Sequence, residues 1–220
     1  MPRKRLYLSG DPEADALLTK TPLALLVGMV LDQQIPLERA FSGPAELARR
    51  LAGTPEAGTP EAGTRSPATS GLDAGTIAGM DPGLLAEIFS RTPALHRFPG
   101  SMAARVQQLS QAVVDGYGGN AQRIWSEAGD GADLRRRLKA LPGFGDQKAR
   151  IFVALLAKQR GVAPPGWEEA SAPYGEPGGY RSVADIVDRS TRDRVRLTKQ
   201  AAKAAATAAK AGATGPAALR

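Results

Sequence analysis

The clearest chemical signal in this sequence is a glycine-rich corner at residues 141–145. It reads Leu-Pro-Gly-Phe-Gly and is followed by Asp-Gln-Lys-Ala at residues 146–149. Glycine adopts backbone angles that other residues avoid, and it lets the main chain approach another molecule closely. The N–H groups at the start of the next helix point outward with the positive end of the helix dipole. Because a helix N-terminus of this kind binds phosphate, the corner predicts a phosphate contact.

Two amphipathic helices are predicted to flank this corner. Leu134 and Leu138 lie on one face of the first helix, and Ile151 and Leu155 lie on one face of the second. Phe144 is expected to fill the interior between them. An ordinary helix corner, in which glycine only caps a helix, is the alternative interpretation of a bare Gly-x-Gly.

The full string from Leu141 to Ala149, placed between two such helices, resembles the helix-hairpin-helix motif of the HhH-GPD superfamily of base-excision DNA glycosylases. The resemblance covers roughly residues 15–160 and is strongest in the hairpin. It implies that loop amides bind a DNA backbone phosphate without reading sequence. It also implies, at most, one cofactor, a monovalent cation held by loop carbonyls at the hairpin.

A second likeness lies upstream, in the segment VGMVLDQQIPLERAF. It is similar to the segment that lines the mouth of the base pocket in alkylation-type and endonuclease-type members. The likeness implies that Gln33 or Gln34 fills the gap left by a flipped nucleotide. Two glutamines that simply end a buried helix are the alternative. The residues expected to contact DNA are Gln33, Gln34, Leu141, Pro142, Gly143, Phe144, Gly145, Gln147 and Lys148.

A glycosylase needs a carboxylate, because it flips a base from the stack and stabilises positive charge that develops on the sugar. In the family this residue is an aspartate that follows a Gly/Pro-rich loop after the hairpin. At the family's spacing this chain has Glu168 and Glu169 instead. Asp185 has the family's local pattern, but it lies many residues too late. Asp185 is the preferred candidate, Glu168 and Glu169 are the others, and helix capping is the alternative role for Asp185.

The residue at position 147 limits the predicted chemistry. Some members of the family cleave the strand through a lysine that forms a Schiff base, and Gln147 occupies the matching place here. An amide cannot form an imine. The sequence therefore predicts a monofunctional enzyme, which removes a base by hydrolysis and leaves the strand intact.

Composition agrees with a polyanionic partner and excludes several kinds of site. The chain has 29 Lys and Arg against 22 Asp and Glu, a formal net charge of +7 and a pI near 10.0. A positive surface attracts nucleic acid, although solvated basic ends account for some of the excess. With no cysteine the chain has no disulfide and no cysteine-held iron–sulfur cluster, and His96 alone cannot form a histidine-rich metal site.

The sequence contains no apolar run of about 20 residues and no signal-peptide hydrophobic region. We therefore expect a cytoplasmic monomer that binds double-stranded DNA and no membrane, with no bound metal.

Helical periodicity without alternating strands predicts an all-α, two-lobed fold like that of the HhH-GPD glycosylases. We expect one helical unit over residues 1–198 and a basic Ala/Lys-rich tail over 199–220. Residues 53–75, with a tandem TPEAG repeat, predict a mobile loop. Ser42-Gly43-Pro44 predicts a break between two short helices.

These features together predict a monofunctional DNA glycosylase that removes a damaged base in base-excision repair. The alternative is a non-catalytic DNA-binding module that recognises damaged or distorted DNA. A helical protein-interaction scaffold is a third interpretation.

Overall fold

The computed structural model describes residues 5–53 and 72–213, and every regular element in these ranges is a helix. The all-α prediction is confirmed. Residues 54–71 of the predicted mobile loop and residues 214–220 of the predicted tail lie outside the described ranges. The helices are α1 (Pro12–Lys20), α2 (Pro22–Leu31), α3 (Leu37–Ala52), α4 (Ala74–Ala78), α5 (Pro82–Ser90), α6 (Pro99–Tyr117), α7 (Arg123–Ser126), α8 (Gly131–Lys139), α9 (Asp146–Arg160), α10 (Trp167–Ser171), a 3-10 helix (Val183–Asp185) and α11 (Arg189–Ala213).

Helix α2 is the central element of the core. Its sequence PLALLVGMVL is apolar on all sides, which is typical of a helix enclosed by others. All of its residues from Leu23 to Leu31 are buried, and α1, α3 and α6 pack around it. Gly28 permits a close approach, since a Cβ there would lie 2.8 Å from Cδ1 of Phe41 in α3. The C-terminal end of α2 is therefore held firmly in place.

Helix α3 is continuous, so the predicted break at Ser42-Gly43-Pro44 is wrong. The helix runs from Leu37 to Ala52 with Pro44 inside it. Proline in a helix interior costs one backbone hydrogen bond and crowds the preceding turn. Here Gly43 and Pro44 are both buried, and a Cβ on Gly43 would lie only 2.7 Å from Cδ1 of Leu31. Burial against α2 outweighs the weak local propensity.

Helices α8 and α9 pack against each other on either side of the glycine-rich corner. Phe144 is 4% exposed, and its ring meets that of Phe152 edge-on at a centroid distance of 5.6 Å. The expectation that Phe144 fills the interior is confirmed. Aromatic pairs in this arrangement add stability beyond the area that they bury, so the corner has a rigid base.

Helix α10 packs against both α8 and α9. The Gly131 N–H donates to Pro165 O at 2.8 Å, and a Cβ on Gly131 would lie 2.5 Å from Gly166 O. The start of α10 therefore lies against the start of α8, at the end of α8 opposite the corner.

Helix α11 is anchored through its first part. Val195 is buried, and Arg192 and Arg196 both pair with Glu38 at the start of α3. The helix continues without interruption through residue 199, where the sequence predicted that a tail begins.

Within the described ranges, no single helix is long and apolar enough to cross a membrane. Helices α1 and α2 meet the length and composition criteria only as a pair, bent by 118°.

Replacing Gly131 with alanine should destabilise the protein by about 3 kcal/mol, because the new methyl group would clash with backbone rather than with a movable side chain. Gly129→Ala is the matched control, since a Cβ there meets nothing within 4 Å. Urea unfolding of the two variants measures the difference. Equal stabilities would contradict the close contact between α8 and α10.

Candidate nucleic-acid interface

Residues 141–145 form a tight turn, here called the glycine hairpin. The Phe144 N–H donates to Leu141 O at 3.0 Å, and Gly143 has a φ of +84°. Proline followed by a left-handed glycine is the pattern of a type II turn. A Cβ on Gly143 would lie 3.0 Å from Cδ of Arg105 and 3.1 Å from Cγ2 of Val30. Gly143 is thus required by its backbone angle and by its contact with α6 and α2.

The outer side of the glycine hairpin is open. Gly145 is exposed, and a Cβ on it would meet nothing within 4 Å. No side chain caps the N-terminus of α9. Among the described residues, no acceptor takes the backbone N–H of Asp146 or Gln147. These are the amides that the sequence predicts to bind phosphate, and the described residues supply no acceptor for them.

Positive charge surrounds the start of α9. The Asp146 carboxylate pairs with Arg135 at 2.5 Å and Arg150 at 2.8 Å, and Lys139 lies 3.9 Å away. The hydrogen bond from Arg135, with a further one from Arg150, holds the pKa of Asp146 below its usual value. Three cations around one carboxylate leave a net positive surface beside the open amides.

Lys148 joins the hairpin to the end of α2. Its ammonium Nζ donates to Met29 O at 2.5 Å and to Val30 O at 3.2 Å. A cation is favourable at the carbonyl end of a helix. Burial lowers the pKa of Lys148 to about 8, a shift that the Asp32 carboxylate opposes and Arg105 reinforces. The glycine hairpin and the residues that follow α2 are therefore held together.

Residues 32–35, here called the Gln turn, connect α2 to α3, and Gln33 is fixed at its centre. Its side-chain amide donates to Val30 O at 2.6 Å, and its Oε1 accepts from Arg105 at 3.1 Å. The Phe98 N–H donates to Nδ1 of His96, so Nε2 carries the proton and donates to Gln33 O at 2.8 Å. These contacts hold Gln33 in one orientation.

Gln34 differs from Gln33 in its exposure, its hydrogen bonding and its backbone conformation. It is exposed, and its side chain makes no hydrogen bond within the described residues. Its φ of +56° lies in the left-handed region, which is uncommon for a residue with a side chain. Gln34 is therefore the member of the pair that projects from the surface.

Asp185, the preferred catalytic candidate, is fully engaged. Its side chain is 7% exposed, and Oδ1 accepts from Lys158 Nζ at 2.7 Å. Its Oδ2 accepts from the backbone of Arg181 at 2.9 Å and Ser182 at 3.3 Å, which completes the capping box of the 3-10 helix. This arrangement matches the capping role that the sequence left open.

Glu168 and Glu169, the other predicted carboxylates, are exposed on α10. That helix begins beside Gly131, at the end of α8 remote from the glycine hairpin. Within the described residues, no hydrogen bond or ion pair joins either carboxylate to the Gln turn or to the hairpin.

Gln147 lies on the exposed side of α9, where its amide donates to the Tyr174 hydroxyl at 2.9 Å. This bond ties the hairpin to the Gly/Pro-rich loop that follows α10.

The structure thus brings together the predicted residues of the glycine hairpin, Lys148 and the Gln turn. Sequence reasoning did not assign Arg105, His96 or Asp32 to this interface. Arg105 belongs to no sequence motif that separates it from the other arginines and lysines. Asp32, by contrast, could have been noticed in the sequence as an acidic residue at the end of an apolar helix. No group of His, Asp or Glu in the described ranges could hold a metal ion.

Comparison with protein-family models, with curated proteins and with solved structures finds no match to this chain.

The lowered pKa of Lys148 predicts a pH-dependent stability. Between pH 8 and 10.5 the unfolded chain holds a proton that the folded protein has released, so folding becomes more favourable as pH rises. The advantage of wild type over Lys148→Met should therefore grow between pH 7 and pH 9.5, by about 1 kcal/mol after allowance for solvent screening. Urea unfolding at both pH values measures it.

Lys139→Met is the matched control, because its side chain is 60% exposed and belongs to the same hairpin unit. Its free energy of unfolding relative to wild type should change much less with pH. A pH trend of the same size in both variants would contradict the burial of Lys148.

Proposed function

We propose that this protein is a monofunctional DNA glycosylase of the HhH-GPD type, with the two-lobed fold of that superfamily, and that it removes a damaged base in base-excision repair. One observation supports the proposal above all others. Lys148, one residue after the open amides of Asp146 and Gln147, hydrogen-bonds Met29 O and Val30 O at the end of α2, and this helix leads into the turn that presents Gln34. A strand-binding element and a duplex-probing side chain therefore share one rigid frame.

In this proposal the DNA backbone lies across the glycine hairpin. A phosphate accepts hydrogen bonds from the open amides at the start of α9, where the helix dipole favours negative charge. Arg135 and Lys139 add attraction that weakens with salt. The carbonyl oxygens of Pro142 and Gly143 accept no hydrogen bond from described residues. In this proposal they would hold a monovalent cation, which would supply a further positive charge for the phosphate.

Gln34 is the residue that we propose enters the duplex. Extrusion of a nucleotide leaves a gap in the stack, and unstacking costs a few kcal/mol. A side chain that fills the gap offsets part of that cost. The fixed position of Gln33 supports this role, because it holds the backbone of the turn while the Gln34 side chain stays exposed.

Hydrolysis without strand cleavage follows from Gln147. A lysine amine could attack the sugar and form an imine, but an amide nitrogen is not a nucleophile of this kind. Water is then the nucleophile that attacks the sugar.

A second candidate function is a non-catalytic module that recognises damaged or distorted DNA. The engagement of both oxygens of Asp185 favours it, since that carboxylate is the preferred catalyst. The two functions share the same DNA contact and differ only in whether a base is released.

Helix α11 adds an electrostatic contribution in either case. Lys199 and Lys203 are exposed on its outer part. They would attract phosphates without regard to sequence.

The DNA contact is tested at Gly145. Gly145→Ala should leave stability nearly unchanged, because its Cβ would occupy open space. The methyl group would stand where the strand must approach, so we expect the Kd for a duplex to rise roughly tenfold, or about 1.4 kcal/mol. Fluorescence anisotropy measures the affinity. Gly129→Ala is the control, and equal affinities of the two variants would contradict the proposed contact.

Catalysis is tested with a panel of duplexes that contain alkylated, deaminated or oxidised bases. We expect release of free base from at least one duplex, with strand breakage only after alkali, because Gln147 supplies no amine. Chromatography detects the base and gel electrophoresis the strand. Binding without release of any base would favour the non-catalytic module.

A further inference from the structure

Asp32 occupies a position that local energetics disfavour. It follows the buried residues of α2 directly and forms the C-cap of that helix. The C-terminal end of a helix carries partial negative charge, so a carboxylate there is repelled. Residues that break a local rule of this kind concentrate at functional sites. Asp32 is therefore a candidate for a functional role.

The surroundings of Asp32 are polar and positively charged. Lys148 lies close enough for its charge to interact with the Asp32 carboxylate, and Arg105 acts on the same lysine from α6. Lys148 donates its hydrogen bonds to the Met29 and Val30 carbonyls rather than to Asp32. Lys148 thus offsets the charge of the helix end and leaves the carboxylate itself unoccupied.

Asp32 differs from Asp185 and Asp146 in the hydrogen bonds and ion pairs of its carboxylate. It is half-buried, and its side chain makes no hydrogen bond or ion pair with any described residue. Asp185 is closed off by Lys158 and two backbone amides, and Asp146 is paired with two arginines. Asp32 is therefore able to interact with a bound molecule without breaking a contact within the protein.

In the proposed DNA path, Asp32 would lie beside the extruded nucleotide. Gln34 belongs to the same turn, and Val30, on the other side in sequence, contacts Gly143 of the hairpin. A nucleotide extruded beside Gln34, on a strand bound at the hairpin, would have its sugar near this end of α2. Glu168 and Glu169 lie instead on α10, whose first residue packs against Gly131 at the far end of α8.

We infer that Asp32 is the catalytic carboxylate of this protein, which stabilises the positive charge that develops on the deoxyribose as the base departs. The inference rests on the proposed glycosylase function. It replaces Asp185, Glu168 and Glu169 in that role.

The reaction balances with water as the only co-reactant. The C1′–N bond breaks, and its electron pair leaves with the base, so positive charge remains on C1′ and the ring oxygen. The Asp32 carboxylate faces this charge. The oxygen of one water molecule bonds to C1′ and loses a proton to Asp32, and that proton passes to the departed base. The products are a C1′ hydroxyl on an intact strand and the free base.

This position favours the transition state over the bound substrate. A carboxylate near phosphates repels unreacted DNA, and it attracts the sugar only when positive charge appears there. Interactions that strengthen in the transition state are the ones that accelerate a reaction.

The test uses two duplexes that need no knowledge of the damaged base. One contains a pyrrolidine in place of a nucleoside sugar, whose protonated nitrogen imitates the cationic sugar. The other contains a neutral tetrahydrofuran at the same position. Wild type should bind the pyrrolidine duplex at least about tenfold more tightly. Asp32→Asn should lose this preference while its Kd for the tetrahydrofuran duplex stays equal or falls.

Asp115→Asn is the matched control, an exposed aspartate in the last turn of α6, and it should keep the preference. Circular dichroism verifies that each variant is folded. Retention of the preference in Asp32→Asn, or its loss in Asp185→Asn or in Glu168→Gln with Glu169→Gln, would overturn the inference.

The outcomes separate the inference from the proposed function. Equal binding of both duplexes by wild type overturns the role of Asp32 and leaves the DNA contact standing. Failure of wild type to bind either duplex overturns both.

Discussion

The hydrogen bonds from Lys148 to the last carbonyls of α2 are the interaction on which the candidate interface depends. They connect a residue of α9 to a helix that lies 119 positions earlier in the chain. The contact of Gly143 with Val30 and Arg105, and the bond from Arg105 to Gln33, reinforce this connection between the glycine hairpin and the Gln turn. With them, the open amides and the backbone of the Gln turn, which includes Asp32 and Gln34, share one framework.

The features that sequence predicted well are those encoded within a few residues. A tight glycine corner at Pro142 and Gly143 was predicted, because the proline ring fixes one φ and glycine permits the next. Phe144 lies between two apolar helix faces, so its burial between them could be predicted. The all-helical class followed from periodicity. The break predicted at Pro44 was wrong for the complementary reason, since burial against α2, a tertiary effect, overrides local propensity.

The rest of the interface depends on contacts between distant parts of the chain. His96 reaches Gln33 across 63 positions, and Arg105 reaches it across 72. No local pattern reports such a pairing. Spacing from the hairpin also could not separate a catalytic aspartate from a capping one. The environment of Asp185 depends on Lys158, a partner that a sequence pattern does not reveal.

The backbone of Gln34 limits how this surface can diverge. A left-handed φ is tolerated by glycine, asparagine and aspartate and strongly resisted by β-branched and bulky side chains. An aromatic or aliphatic wedge could not simply replace the glutamine, because the whole connection between α2 and α3 would have to be rebuilt. Diversification of what the protein recognises would therefore proceed more readily through the surrounding helices than through the tip of this turn.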